Sequence, residues 1–206
     1  LSLFITFEGG EGSGKSTQAR LLLKRLEHEN VPAVLTHEPG GTTLGDEMRK
    51  LLKKRRDSSI SPWAELFLFA ASRVQLVAEL IGPALQAGYA VICDRFIHST
   101  VAYQAYGRGL DLATVEAISA LAIGDLRPDL TILLDMPSEL GLERKRTLRD
   151  RFETEDLSFH RRVRDGYRAM AASDPDRWLV IDASLGRTEV ADKIWDRVGT
   201  LLSTSR

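Results

Sequence analysis

The sequence predicts an α/β fold: a five-stranded parallel sheet flanked by helices, in a three-layer sandwich with a lid segment. Three observations carry that prediction. Short apolar runs alternate with longer amphipathic stretches, as a parallel sheet covered by helices requires. The first apolar run leads through a glycine-rich turn directly into an amphipathic helix. No repeat, low-complexity block or Pro/Ser-rich linker divides the 206 residues, so residues 1–206 read as one domain.

Taken in order, Leu3–Glu8 is β-rich and predicts the first strand, and Lys15–Glu29 is a helix with Leu21, Leu22, Leu23 and Leu26 on its apolar face. Ala33–Glu38 and Ala90–Asp94 are the next strands. Between them lie two helical stretches, Leu44–Lys54 and Pro62–Ala87, more than one crossover needs. Residues 38–75 therefore read as a substrate-binding insert. Leu112–Ile123 predicts a helix before the strand Leu130–Asp135, and Ser138–Arg146 and Ser158–Ala172 predict two more. Between these, Arg144–Asp156 is charged and poor in apolar residues, and reads as a mobile flap, the lid. Trp178–Asp182 predicts the fifth strand and Arg187–Leu202 the closing helix.

Charges nearly cancel, with 28 Lys+Arg against 29 Asp+Glu. That balance argues against a general polyanion binder and against attachment to anionic membrane by bulk charge. Of the 28 cations 21 are arginine, the residue suited to bidentate grips on phosphate, although a GC-rich coding genome gives the same bias. The basic runs Arg49–Arg56 and Arg161–Arg168 fall on predicted helices and read as solvated faces rather than a nucleic-acid surface. A single cysteine, Cys93, excludes an intramolecular disulfide and suits a reducing compartment. The longest apolar run, Leu66–Ala71, is too short to span a bilayer, and the opening residues show no signal-peptide pattern. A soluble cytoplasmic protein is expected, with no nucleic-acid or membrane partner.

The turn Gly9-Gly10-Glu11-Gly12-Ser13-Gly14-Lys15-Ser16-Thr17 fits G-x-x-x-x-G-K-[ST], between a strand and a helix as that motif requires. Glycines let backbone N–H groups converge on phosphate oxygens, and the helix N-terminus adds its dipole. Lys15 is expected to neutralise the β/γ-phosphates of a nucleoside triphosphate and Ser16 to hold Mg²⁺. A carboxylate facing phosphate would repel it, so Glu11 points away, either to a hydroxyl or cation of a second substrate or to solvent at the rim.

Among P-loop NTPases, a GTPase switch needs N-K-x-D, yet the sole asparagine, Asn30, is followed by Val31. A kinase needs a second anionic site. Asp94-Arg95 ends a buried strand, at the edge where open α/β sheets bind ligands. There Arg95 could grip an acceptor phosphate and Asp94 orient Mg²⁺ or its water shell. An ion pair anchoring the strand end is the alternative.

Several stretches together resemble the thymidylate kinases, P-loop enzymes that phosphorylate dTMP to dTDP with ATP on the route to dTTP. These are Phe7-Glu8-Gly9, His37-Glu38-Pro39-Gly40-Gly41-Thr42, residues 69–76 (FAASRVQL), residues 94–104 (DRFIHSTVAYQ), Gly107-Arg108-Gly109-Leu110, Arg127-Pro128-Asp129-Leu130 and Asp150-Arg151-Phe152-Glu153. The resemblance implies that Phe69 stacks on thymine, Arg73 donates to a pyrimidine carbonyl, and Thr100 and Gln104 bond the base edge. It places Tyr103 under the deoxyribose, Arg95 and Arg49 on the acceptor phosphate, and Glu11 toward the acceptor sugar. Many relatives carry arginine at the position of Glu11. The chain is similar instead to the bacterial type, which supplies the catalytic arginine from the lid. Among Arg144, Arg146, Arg149 and Arg151, Arg149 is the expected main finger and Arg151 its support, acting with Lys15 and Arg95. Members of the family are homodimers; the helices Pro62–Ala87 and Leu112–Ile123 are candidates for the interface, or for core.

Overall fold

The computed structural model describes residues 2–54, 60–144 and 150–204. Its strands are β1 (Leu3–Glu8), β2 (Ala33–His37), β3 (Ala90–Asp94), β4 (Leu130–Asp135) and β5 (Trp178–Asp182). They lie parallel in the order β2-β3-β1-β4-β5. The helices are α1 (Lys15–His28), α2 (Thr43–Lys53), α3 (Pro62–Leu76), α4 (Gly82–Gln86), α5 (Ile97–Thr100), α6 (Leu112–Ile123), α7 (Ser138–Arg144), α8 (Leu157–Ser173) and α9 (Arg187–Thr204). Two π-helical segments, Val77–Ile81 and Val101–Gly107, continue α3 and α5.

The central strands β1, β3 and β4 are almost wholly buried, whereas β2 and β5 at the edges are half-buried. Burial on both faces is why the central strands read as near-continuous apolar runs. Alternation along β1 sets the three layers. Leu3, Ile5 and Phe7 meet Leu22 and Leu26 of α1 and Val190, Ile194 and Val198 of α9. Phe4 faces the opposite side, where Val91 and Cys93 of β3 pack with Leu76, Ile81 and Phe96. Register then brings the strand ends together: Phe7 pairs with Asp94, and Glu8 with Leu133. Glu8, Asp94 and the glycine-rich turn share the carboxyl edge of the sheet.

The structure departs from the sequence reading in three places. The helix expected over Pro62–Ala87 runs on to Gln86 but winds as a π-helix over Val77–Ile81, just before Pro83, whose ring nitrogen has no hydrogen to donate. Residues 97–107, to which no helix was assigned, form α5 and the second π-helical segment. This stretch is buried on nearly all sides from Thr100 to Ala105, so it shows no amphipathic period. Finally, residues 150–156 of the lid are docked rather than solvated. Phe152 is buried, its ring 5.9 Å from those of both Phe69 and Tyr103. One aromatic anchors a segment whose composition is otherwise charged.

Candidate active site

After β1 the chain turns through the glycine-rich loop into α1. Gly9 and Gly12 have φ of +139° and +68°. A Cβ on Gly12 would lie 1.9 Å from the Gly141 carbonyl oxygen, and one on Gly9 2.5 Å from that of Leu134. Both positions therefore demand glycine. Lys15 folds back over the loop, its Nζ donating to the carbonyls of Gly9 (3.0 Å) and Gly10 (2.7 Å) and to Ser13 Oγ (3.2 Å). Ser13 Oγ in turn donates to the Gly10 carbonyl. Burial, aided by the charge of Arg95, lowers the Lys15 ammonium to about 8. Ser16 Oγ donates to the Asp94 carboxylate at the end of β3.

A cavity of about 590 Å³ opens from this loop, with Gly12, Gly14, Lys15, Ser16 and Thr17 on one wall. Gly9, Gly10 and Ser13 stand behind that wall as the loop's own support. The remaining walls bring together every residue expected at the acceptor, namely Glu11, Arg49, Phe69, Arg73, Arg95, Thr100, Tyr103 and Gln104, together with Asp94, expected at Mg²⁺. Arg49 donates to the Pro39 carbonyl at 2.8 Å.

Arg95 sits at the junction of the two halves. It is a non-glycine residue at φ +73°, the left-handed region that costs an ordinary side chain free energy and recurs at functional sites. Its guanidinium donates to Glu11 Oε1 (2.7 Å), the Gly9 carbonyl (3.1 Å) and the hydroxyls of Ser99, Tyr103 and Tyr167. Glu11 thus turns away from the loop's anion cradle, as repulsion requires, and meets Arg95 and Tyr103. Burial raises the Tyr103 phenol well above its usual value, so its hydroxyl donates to Glu11 Oε1, at 2.7 Å.

Deeper in, Arg73 is 1 % exposed and makes a bidentate pair with Glu38, its Nη2 also donating to Thr100 Oγ1 at 2.8 Å. Its Nη1 has no partner among the described residues. Gln104, equally buried, donates from Nε2 to Glu65 Oε1 at 2.8 Å, and its Oε1 has no partner among the described residues. Arg73 and Gln104 both line the cavity, as does Thr36, whose buried Oγ1 is a third such group, and proteins rarely leave buried polar atoms unmatched without a use.

Of the lid arginines, Arg146 and Arg149 lie outside the described residues. Arg151 Nε donates to the Leu52 carbonyl (3.1 Å), and its Nη2 lies 2.5 Å from Glu65 Oε2, close enough for an ion pair but not aligned as a hydrogen bond. It lies outside the cavity walls. Arg144 donates to the Ala183 carbonyl at 2.8 Å.

Four polar residues with no role in the sequence reading complete the site. Glu8 is wholly buried, and burial pushes its carboxyl up to about 7, against the donors that surround it. It accepts from Ser99 Oγ (2.6 Å), the Phe96 N–H (2.9 Å) and the Tyr167 hydroxyl (3.1 Å), so it fixes the turn that carries Arg95. Glu38 is the counter-charge of Arg73. Its place at the end of β2, on the same edge as Asp94, was a readable signal. Tyr167 and Glu65 lie within α8 and α3, and no local pattern marks them.

A family profile described as thymidylate kinase matches residues 7–194. A thymidylate kinase of Dehalococcoides mccartyi is 55 % identical over 203 residues, covering 98 % of each chain. One from a Synechococcus strain is 50 % identical over 196 residues, covering 95 % of this chain and 94 % of the relative. The crystal structure of thymidylate kinase from Ehrlichia chaffeensis superposes with a TM-score of 0.79 at 38 % identity, covering 96 % of this chain and 98 % of that one. With the P-loop fold, the anion cradle and near end-to-end identity in agreement, this chain belongs to the thymidylate kinase family.

Proposed function

We propose that this chain transfers the γ-phosphoryl group of ATP to dTMP, giving dTDP and ADP. The observation that carries the choice of acceptor is the orphaned pair in the cavity. Arg73 Nη1 offers a donor and Gln104 Oε1 an acceptor, the complement of a C4 carbonyl beside an N3–H. Thymine has that edge. Cytosine presents the reverse, and a buried polar pair left unmatched rejects it strongly. Phe69 supplies the face on which the ring stacks. Tyr103, held by Glu11 and Arg95, closes the space beside the sugar.

The transfer is direct and in line, without a covalent intermediate, and requires little proton chemistry because the acceptor phosphate is already ionised near neutral pH. Lys15 and the backbone of the glycine-rich loop hold the donor phosphates, and Arg95 with Arg49 holds the acceptor phosphate. Catalysis is positioning and charge neutralisation. The oxygens of Ser16 and Asp94, already side by side, suit a hard cation, and Mg²⁺ bound there would neutralise phosphate charge. A lid arginine, Arg149 first and Arg151 in support, completes the charge around the phosphoryl group once the lid closes, and closure excludes water.

Coupled ADP release over a panel of monophosphates tests the reading. Efficient turnover on dTMP is expected; turnover on UMP or GMP with dTMP inert would overturn it, as would hydrolysis stimulated by single-stranded DNA without acceptor phosphorylation. Phe69→Ala is expected to raise the KM for dTMP roughly tenfold or more while the KM for ATP stays nearly unchanged. Equal losses for both substrates would refute the stacking role.

The enzyme acts as a homodimer. Trp63, Phe67 and Val74 of α3 are 43, 56 and 49 % exposed at helical spacing, and Leu121 of the adjacent α6 is 84 % exposed. Apolar surface of this kind marks an interface. Light scattering after gel filtration should give twice the chain mass, and Phe67→Glu should give the monomer. Among the described residues no helix is long and apolar enough to cross a membrane. The one cysteine, Cys93, is free and buried, which suits the cytoplasm.

A further inference from the structure

Glu65 lies at the start of α3, fully buried and outside the walls of the cavity. We propose that it is the residue that makes the base pocket select thymine over cytosine, by fixing which end of the Gln104 amide faces the base. A primary amide is ambiguous: rotated by half a turn it exchanges an acceptor for a donor at the same point. A carboxylate is not ambiguous, because it accepts only. With Oε1 of Glu65 at 2.8 Å, the Gln104 NH₂ must face Glu65, and Oε1 of Gln104, on a residue that lines the cavity, is left without a partner among the described residues. Were the amide reversed, two acceptor oxygens would face each other in a dry interior and the pocket would present a donor, which suits the N3 of cytosine.

The carboxylate is itself held in place. Arg108 reaches it with Nε (3.1 Å) and Nη2 (3.3 Å), while Nη1 of the same arginine bonds Glu155 at 2.6 Å. Arg151 of the lid segment approaches its other oxygen. Glu65 therefore has two cationic neighbours. It is a positioning residue acting through Gln104. The same contacts tie the base pocket to the lid segment, since both the residue that reads N3–H and the lid residues Arg151 and Glu155 converge on one network.

This inference rests on the base-edge reading given above, and the test separates the two. Steady-state constants for dTMP and dCMP are measured for the intact enzyme, Glu65→Gln and Gln104→Ala. Glutamine at position 65 removes the one-way acceptor and lets the Gln104 amide turn. The ratio of kcat/KM for dTMP over dCMP is expected to fall at least tenfold in Glu65→Gln, chiefly through KM for dTMP, with KM for ATP unchanged. A merely structural role would lower both substrates in proportion, and an unchanged ratio in a folded Glu65→Gln overturns the proposal. If Gln104→Ala leaves dTMP kinetics unchanged, the base-edge reading itself fails. Should Glu65→Gln fail to fold, the exchange Glu65→Gln with Gln104→Glu preserves the carboxylate count and presents only acceptor oxygens at position 104. It is expected to retain the preference for dTMP, and loss of that preference overturns the proposal.

Discussion

Arg95→Ala is expected to lower kcat/KM for dTMP by about a thousandfold, the scale set by losing a cation that neutralises charge in phosphoryl transfer. Three consequences add in the same direction. The acceptor phosphate loses the guanidinium proposed to hold it. Glu11 loses its ion-pair partner at 2.7 Å and becomes a negative charge at the mouth of an anion site. Tyr103, bonded to both, loses half of what orients it. Arg95→Lys should recover only part of the rate, since one ammonium cannot meet Glu11, Gly9 and three hydroxyls at once. Steady-state kinetics with both substrates varied will decide it: a fall confined to KM for ATP would show that Arg95 serves the donor side instead. Leaving Glu11 without its cation also costs stability, and a lower Tm in Arg95→Ala than in the Arg95→Ala/Glu11→Gln pair would show how much.

How far the sequence reached follows from the range of the interactions involved. The P-loop was legible because its chemistry is local: glycines, lysine and serine must occur at fixed spacing for one loop to close around phosphate, and the structure folds Lys15 back over that loop. Asp94 and Arg95 were legible because strand and loop alternate simply, so a polar pair ending an apolar run must lie at the sheet edge. Glu11 was legible by electrostatics alone. Glu65 and Tyr167 were not, because their roles depend on partners 39 and 159 residues away along the chain. Burial on a helix looks the same in sequence whether the buried group is core or support for a site. The segment 97–107 failed for the opposite reason, being so fully enclosed that it lost the periodicity by which helices are recognised. Arg151 shows a third limit: composition marks its segment as a flap, but not the buried partner, Glu65 of α3, that its guanidinium meets.

Lys15→Ala is expected to reduce kcat by at least a hundredfold, because Lys15 is the one lysine of the glycine-rich loop, lines the cavity and is the group proposed to hold the donor phosphates. Its pH dependence makes the prediction sharper. Burial lowers Lys15 to about 8 in the free enzyme, and a bound polyphosphate, being negative, raises it again. ATP binding above pH 8 must therefore take up a proton, and affinity should weaken as pH rises through about 8, approaching tenfold per unit beyond it. The stability of the free protein should move the opposite way. A lysine lowered from 10.5 to about 8 on folding costs stability wherever it is charged in both states, so the cost is full below pH 8 and fades between about pH 8 and 10.5. Rising pH should thus strengthen the contribution of Lys15 to folding while weakening ATP binding, two trends that general alkaline damage cannot produce together. Calorimetric titrations in buffers of different ionisation enthalpy measure the proton uptake directly, and its persistence in Lys15→Ala would assign the titration to another group.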